Sequence, residues 1–240
     1  GYAAIWLGGV PVPAASNYSI AGIFGSQLIL QGGNSSITLS ANSTAAISGS
    51  TNVTLTAGSG NIITSGGLQE YYCNGVLHRN TDNPSRIFLD GTQEYYSNGI
   101  LHRDNQPAKI FPNGTKEYYS NGVLHRANQP ARIFSDGAIE YWFNGIAHRE
   151  GDLPSASSAD GKVTSYYFNG KLHRFSDNPA RTYSDGKVEY YFNGKLHRTD
   201  DKPAIIYCNG DQAYYINGLL HRDGDKPALI GIDGIYGYYY

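Results

Sequence analysis

The stretch EYYSNGILHR (residues 94–103) decides the fold, because it occurs seven times in the chain with few changes. Each copy has an aromatic pair, then one residue, then Asn-Gly, then His-Arg, and the copies lie 23 to 25 residues apart. Self-similarity at such a period indicates stacked structural repeats. The Asn-Gly pairs are Asn74-Gly75, Asn98-Gly99, Asn121-Gly122, Asn144-Gly145, Asn169-Gly170, Asn193-Gly194 and Asn217-Gly218.

Two turn signals and a proline divide each repeat. Asn-Gly between apolar runs predicts a two-residue β-hairpin turn in which both residues have positive φ. A second Asp-Gly or Asn-Gly turn begins at Asp90, Asn113, Asp136, Asp160, Asp185, Asn209 and Asp233. A proline lies between them in every repeat and marks a bend, since proline cannot join a central ladder. We therefore expect an all-β chain: an uncharged β-shaft segment followed by a solenoid-like array of about seven antiparallel β-hairpin repeats.

Counting back from the Asn-Gly turn predicts the cross-strand pairs. Residues 92–97 form one short strand, so Tyr96 faces Leu101 and Glu94 faces Arg103. We expect Tyr96 and Leu101 to form the core element of the hairpin, and Glu94 and Arg103 to form an ion pair. Ser165 and Ala213 replace the glutamate in two repeats, so the pair is not indispensable.

Charge divides the 240-residue chain into two parts. Residues 1–69 contain no Asp, Glu, Lys, Arg or His, and all charges follow from Glu70 onward. We place the boundary after Gly67, with an uncharged oligomerising segment over 1–67 and the repeats over 68–240, ending in a half-repeat cap. Between Ser35 and Thr64 apolar residues alternate with Ser and Thr, which predicts short strands that must find a second layer.

Composition excludes several function classes. The net charge of -2 offers no basic excess for a phosphate backbone, so we expect no nucleic-acid partner. No apolar run is long enough for a membrane span. We interpret Cys73 and Cys208 as free thiols. The chain begins at Gly1 and contains no Met, so we expect an internal piece or a processed product.

Two resemblances accompany these patterns. The opening YAAIWLGGVPVPAASNYSIAGIFGSQLILQG resembles a recurrent segment of bacteriophage and large-virus tail-fibre proteins, and NVTLTAGSGNI resembles fibre-shaft sequence. This resemblance covers about the first quarter of the chain. In such fibres three parallel chains contribute the strands, which implies a homotrimer.

The repeat resembles the MORN-type family, and more closely the YY-x-NG-x-LHR repeats of giant-virus and phage proteins. This resemblance spans Leu68 to Tyr240 and implies an elongated sheet of stacked β-hairpins. The chain departs from the MORN unit in having Arg after His, and Pro-Ala where that family has Gly-x-Gly.

A residue that recurs in every repeat is normally structural, whereas a catalytic residue is normally unique. We therefore interpret the histidine column as structural and expect no enzyme activity, no cofactor and no metal site. The column consists of His78, His102, His125, His148, His173, His197 and His221.

The aromatic columns are the candidate binding residues. We expect one ring of each pair in the core, and the other either covered by the next repeat or free for a host-surface glycan or protein. The candidates for glycan or receptor contact are Tyr95, Tyr118, Tyr141, Trp142, Tyr166 and Tyr190. The fourth repeat differs most, with Trp142, Phe143, Ala147 and the polar run GDLPSASSAD, so we expect it to be the specialised one.

The sequence thus favours a virion fibre or spike component at the virion surface or outside the cell. The alternatives are a subunit of an extracellular cellular filament or adhesin, and an intracellular MORN-like scaffold. Sequons for N-glycosylation occur at Asn17, Asn34, Asn42, Asn52 and Asn113, and they matter only if the protein passes through a secretory pathway.

Overall fold

The computed structural model describes residues 68–80, 82–234 and 236–238. Of the front segment it describes the strands at 5–7, 10–12, 27–31, 35–37, 43–48, 53–55 and 60–64. The described residues form strands and turns and no helix, which confirms the all-β prediction. The chain divides into two compact units, Gly1–Gly122 and Val123–Tyr240. The predicted boundary after Gly67 lies outside the described residues.

The described residues of the first unit form sixteen strands. They are β1 (Ile5–Leu7), β2 (Val10–Val12), β3 (Gln27–Gln31), β4 (Ser35–Ile37), β5 (Ser43–Ser48), β6 (Val53–Leu55), β7 (Gly60–Thr64), β8 (Gln69–Cys73), β9 (Val76–Leu77), β10 (Arg86–Ile87), β11 (Gln93–Glu94), β12 (Tyr96–Ser97), β13 (Ile100–Leu101), β14 (Lys109–Ile110), β15 (Lys116–Glu117) and β16 (Tyr119–Ser120).

In the second unit the part of the chain that the structure describes forms nineteen strands. They are β17 (Val123–Leu124), β18 (Arg132–Ile133), β19 (Ile139–Glu140), β20 (Trp142–Phe143), β21 (Ile146–Ala147), β22 (Ala156–Ser157), β23 (Val163–Ser165), β24 (Tyr167–Phe168), β25 (Lys171–Leu172), β26 (Arg181–Tyr183), β27 (Val188–Glu189), β28 (Tyr191–Phe192), β29 (Lys195–Leu196), β30 (Ile205–Ile206), β31 (Gln212–Ala213), β32 (Tyr215–Ile216), β33 (Leu219–Leu220), β34 (Leu229–Ile230) and β35 (Tyr236–Gly237).

The front strands pair within this chain. Strands β1 and β2 form an antiparallel hairpin. Strands β3, β5 and β7 form a parallel ladder, and β4 pairs with β6 in parallel. Strand β7 then pairs antiparallel with β8, the first strand of the repeats. The short strands predicted between Ser35 and Thr64 are therefore present, and they pair with one another, with β3 and with β8.

A typical repeat contributes two strands to an antiparallel ladder and a separate side hairpin, whereas in the first repeat strand β8 is continuous and joins both the ladder and the hairpin with β9. The ladder runs β8, β10, β11, β14, β15 in the first unit. In the second unit it runs β18, β19, β22, β23, β26, β27, β30, β31, β34, β35. The side hairpins include β12–β13 in the first unit and β20–β21, β24–β25, β28–β29 and β32–β33 in the second.

The turns have the conformations that their residues favour. Asn98 and Gly99 have φ of 49° and 78°, as a type I′ hairpin turn requires. At the second turn only the glycine is left-handed, with Gly91 at φ 87°. The carboxylate of Asp90 accepts the Thr92 N–H there at 2.8 Å, because aspartate readily closes such a local ring.

The segment predicted as one strand is broken at its first tyrosine. Tyr95 donates its N–H to Ala108 of the ladder at 2.8 Å, and its carbonyl accepts the N–H of His102 of the side hairpin at 3.0 Å. One residue thus serves two sheets and forms a corner. The predicted single strand over 92–97 is wrong for this reason, whereas the pairing of Tyr96 with Leu101 is confirmed.

The core of each repeat is a small side chain directly after the proline. These residues are at most 2% exposed, and they are Ser85, Ala108, Ala131, Ser155, Ala180, Ala204 and Ala228. Tyr95 is also buried, whereas Tyr96 and Leu101 are only half-buried. The prediction that Tyr96 and Leu101 form the core element is therefore wrong for this repeat, because the corner turns Tyr95 inward instead, although the equivalent Leu77 and Leu124 are buried.

Candidate functional site

In four repeats the arginine after the histidine joins its own repeat to the preceding one: Arg103, Arg174, Arg198 and Arg222. The Arg103 guanidinium lies 3.7 Å from the centre of the Tyr95 ring. Arg103 donates to the carbonyl of Pro107 at 3.3 Å and to the carboxylate of Asp82, in the preceding repeat, at 2.7 Å and 2.9 Å. We call this set of contacts the arginine clamp.

The predicted partner of Arg103 was wrong. Glu94 is buried and forms ion pairs with two ladder residues, Arg86 at 3.5 Å and Lys109 at 3.0 Å. Because the chain turns at Tyr95, Glu94 faces the neighbouring ladder strands and never comes opposite Arg103 in the hairpin. The interaction that was expected within a repeat is replaced by one between repeats, from Arg103 to Asp82.

The clamp recurs in the second unit. Arg198 lies 3.6 Å from the centre of the Tyr190 ring and donates to Pro203 at 3.3 Å. Its Nε and Nη2 atoms donate to the Oδ1 and Oδ2 atoms of Asp177 at 2.7 Å and 3.1 Å. Hydrogen bonds from Arg198 and then from Lys202 lower the pKa of Asp177 from its ordinary 3.8 to about 2. The same pattern joins Arg174 to Asp152 and Arg222 to Asp201.

The histidine column makes a second contact between repeats. The Nδ1 atom of His102 accepts the backbone N–H of Asn121, in the next repeat, at 3.2 Å. Nitrogen that accepts a hydrogen bond carries no proton, so the neutral ring holds its proton on Nε2. Nε2 of His102 pairs with Asp104 at 3.0 Å. Equivalent backbone bonds reach His78, His125, His173 and His197 at 3.1–3.3 Å.

The predicted contact tyrosines lie beneath the clamp arginines. Tyr95 is 9% exposed, and Tyr141, Tyr166 and Tyr190 are half-buried, with a guanidinium 3.6–3.9 Å from each ring centre. The structure places Tyr118 and Trp142 at half-buried positions too, and Trp142 donates Nε1–H to Glu140 at 2.9 Å. Contact of these residues with a glycan or receptor stays a prediction, and the clamp leaves fewer free ring faces for it.

A different set of rings is exposed in the second unit. Phe168, Phe175 and Phe192 are 38%, 59% and 52% exposed, and their ring centres lie 6.0, 4.5 and 5.1 Å from that of His173. We call these three phenylalanines the aromatic patch. The sequence analysis did not predict these three residues, because it selected the tyrosine pair that recurs in the repeats. The phenylalanines lie at positions that vary between repeats, before Asn-Gly and after His-Arg.

Three similar clefts follow one another along the second unit. The first, about 390 Å³, lies between the loops after His148 and His173. The second, about 330 Å³, lies between the loops after His173 and His197, and the third, about 340 Å³, continues to the loop after His221. Phe175 lines both the first and the second cleft.

His173 differs from the other histidines of its column. It is only 6% exposed, and burial lowers its pKa below the ordinary 6.5, which favours the neutral ring. Its Nε2 atom is buried and has no hydrogen-bond partner among the described residues. The reason is visible in the sequence, because Phe175 occupies the position of Asp104, the partner of His102.

Other candidate sites are sparse in the part of the chain that the structure describes. Cys73 and Cys208 are free thiols, as predicted. No group of three or more metal-ligating side chains occurs among the described residues, nor does any described segment form a helix that could cross a membrane. Asn113 is exposed in a turn, and the other four sequons lie outside the described residues.

These features define the class of the protein: a solenoid-like β-repeat protein whose recurring charged and polar columns bind one repeat to the next. No protein-family model matches the chain, and no curated protein is significantly similar to it.

Proposed function

We propose that this protein is a structural component of a virion fibre or spike. Its front segment brings copies of the chain together, and its repeats form an array displayed for attachment to a host surface. The observation that supports this proposal is the use of the histidine and arginine columns. Histidines such as His102 and arginines such as Arg103 hold neighbouring repeats together, and among the described residues they do not converge on one reactive site. The fourth repeat is an exception, since Nδ1 of His148 is buried there without a hydrogen-bond partner among the described residues.

The clamp suits a part that must keep its form outside a cell. A guanidinium held by a ring face, a carbonyl and a carboxylate is restrained in three directions. In Arg198 that restraint leaves the side chain only 14% exposed. Since the same device recurs from repeat to repeat, the array gains cohesion without a large common core.

The front segment supports the oligomerising part of the proposal. It has no charged residue before Glu70, and its strands β3, β5 and β7 are parallel and in register. Uncharged strands carry none of the edge charges that keep sheets from associating. Together with the resemblance to fibre sequences, this favours a homotrimer as the working assembly.

The mass of the full-length chain in solution tests the proposal. Light scattering coupled to size exclusion, with electrophoresis of unheated samples in SDS, distinguishes the assemblies. A trimer that resists SDS supports the fibre. An open-ended polymer overturns it in favour of an extracellular filament, and a monomer over the accessible concentration range overturns it in favour of a scaffold.

A further inference from the structure

The aromatic patch and the two clefts beside it carry an inference that deepens the proposed attachment role and rests on it. The rings of the three phenylalanines lie close to His173, and Phe175 lines both the first and the second cleft. Exposed aromatic rings in contact with one another are uncommon on a surface that has no partner. Among these rings, Phe168 and Phe175 meet edge to face at 5.0 Å.

The charges of the first cleft indicate a neutral ligand. It is lined by two arginines, Arg149 and Arg174, and by two carboxylates, Glu150 and Asp152. Arg174 and Asp152 are joined at 2.6 Å. Because the formal charges cancel, the first cleft has no excess charge with which to select an ionic ligand. The second cleft is lined by Arg174, Arg198 and Asp177, and both of its arginines are already paired with aspartates, Asp152 and Asp177. The remaining surface offers ring faces and scattered polar groups, which suits a ligand with apolar faces and a polar rim.

The spacing of the clefts indicates an elongated ligand with a repeating unit. Each repeat adds two strands to the ladder, as β23 and β26 are followed by β27 and β30. Adjacent strands lie about 4.8 Å apart, so successive clefts are about 9.6 Å apart. Two linked pyranose rings in an extended chain have about this length. Each cleft also has the volume of a small-ligand site.

His173 supplies an independent sign of a missing partner. Nδ1 accepts the N–H of Asn193 at 3.3 Å, so the neutral ring carries a proton on Nε2. That Nε2 is buried without an acceptor among the described residues. A buried unpaired donor destabilises the protein. His173 lines both clefts, and because its Nε2 is covered in the unbound protein, a ligand hydroxyl accepts from it after a neighbouring side chain moves.

From these observations we propose that the two clefts flanking Phe175 bind a neutral, extended oligosaccharide, with the aromatic patch stacking against the C–H faces of the sugar rings. The site lies in the fifth repeat and its neighbours. The fourth repeat, which the sequence singled out, contributes one wall through His148 and the loop that follows it.

Titration calorimetry of the full-length protein with neutral oligosaccharides tests the proposal. The probes are cello-, xylo- and chito-oligosaccharides of one to six sugar units. We expect saturable binding by at least one series, with affinity rising from one unit to four as the second cleft fills, and no further gain at six. Absence of saturable binding in all three series overturns the proposal, as does equal affinity for one unit and for six.

The chain itself provides conservative variants. Phe175→Asp restores the residue that pairs with the ring at His102, and Phe168→Ser introduces the residue found at Ser97. Each variant should therefore fold, and each should weaken binding by roughly tenfold. The control is Leu89→Ala, which removes an apolar side chain that is 79% exposed in the first unit and should leave binding unchanged.

The outcomes separate this proposal from the proposed function. Unchanged affinity in both phenylalanine variants overturns the sugar site, and so does recognition of a host protein with no response to the sugars. The mass of the same sample is measured in parallel. A trimer without sugar binding contradicts only the site, whereas sugar binding by a monomer contradicts only the fibre assembly.

Discussion

Removal of one clamp arginine is the most direct test of how the repeats are held together. Arg198→Ala deletes three contacts at once. The ring contact with Tyr190 contributes about 1 kcal/mol, and the hydrogen bond to Pro203 contributes about 1 kcal/mol. The pair with Asp177, whose carboxylate is 40% exposed, contributes only about 0.5–1 kcal/mol because solvent screens it. We expect the free energy of unfolding to fall by about 2–3 kcal/mol.

Arg198→Lys separates charge from shape. Lysine keeps the positive charge but cannot present a planar fork to both oxygens of Asp177. We expect this variant to lose about 1–2 kcal/mol, roughly half of the effect of alanine. If only the positive charge contributed, the Arg198→Lys variant would be as stable as the wild type.

Urea unfolding followed by circular dichroism gives the stability change, and amide hydrogen exchange of the sixth repeat shows whether the loss is local. The double variant with Asp177→Asn isolates the pair energy. As a control, Lys162→Ala removes one partner of an exposed ion pair with Asp160 and should change the stability by less than about 0.5 kcal/mol. A loss for Arg198→Ala no larger than that of this control would refute the clamp.

Three further predictions follow from the described contacts. Ala180 is fully buried, so Ala180→Leu should lower the free energy of unfolding by about 1–3 kcal/mol by overpacking, while Ala180→Ser, the residue at Ser155, should cost less than about 1 kcal/mol in the same urea experiment. His102→Ala leaves the exposed N–H of Asn121 to water and should cost about 0.5–1 kcal/mol; faster exchange of that amide checks the assignment, and an unchanged rate contradicts it. Since the pKa of Asp177 is held at about 2 instead of 3.8, its contribution to stability is complete above pH 3.8 and is lost as the pH falls through 2; acid titration of the wild type should show a loss there that Asp177→Asn lacks.

The turns and the proline bends could be predicted because their causes are local. Asn98 and Gly99 accept a left-handed backbone more readily than other residues, so the dipeptide specifies its hairpin without help from the rest of the chain. Pro107 cannot donate to a ladder, so it must lie outside one. Neither inference requires knowledge of which strands are neighbours in space.

The clamp could not be predicted, because it depends on a corner that no residue type marks. Counting pairs outward from the turn assumes a continuous strand, and the assumption fails at Tyr95. Beyond that residue, Glu94 belongs to the ladder, and Arg103 meets an aspartate twenty-one positions earlier in the sequence. The spacing between Asp82 and Arg103 becomes informative only once the stacking of the repeats is known.

The candidate sugar site was missed for a related reason. A search for recurring columns finds the residues that all repeats share. Phe175 is the only phenylalanine at its position in the seven repeats, so such a search does not select it. Its consequence, an unpartnered Nε2 on His173, appears only when the neighbouring side chains are placed.

The clamp reaches back by one repeat and no further. Arg103 pairs with Asp82 in the repeat before it, and Arg198 pairs with Asp177 in the repeat before its own. Asp82, Asp152, Asp177 and Asp201 supply this acceptor, whereas Asn105 and Asn128 occupy the position in the second and third repeats. Loss or duplication of a repeat by recombination therefore keeps the ion pair at the new junction wherever the preceding repeat carries the aspartate. The length of the array then changes in steps of one repeat, about 9.6 Å, while the contacts between neighbouring repeats stay the same.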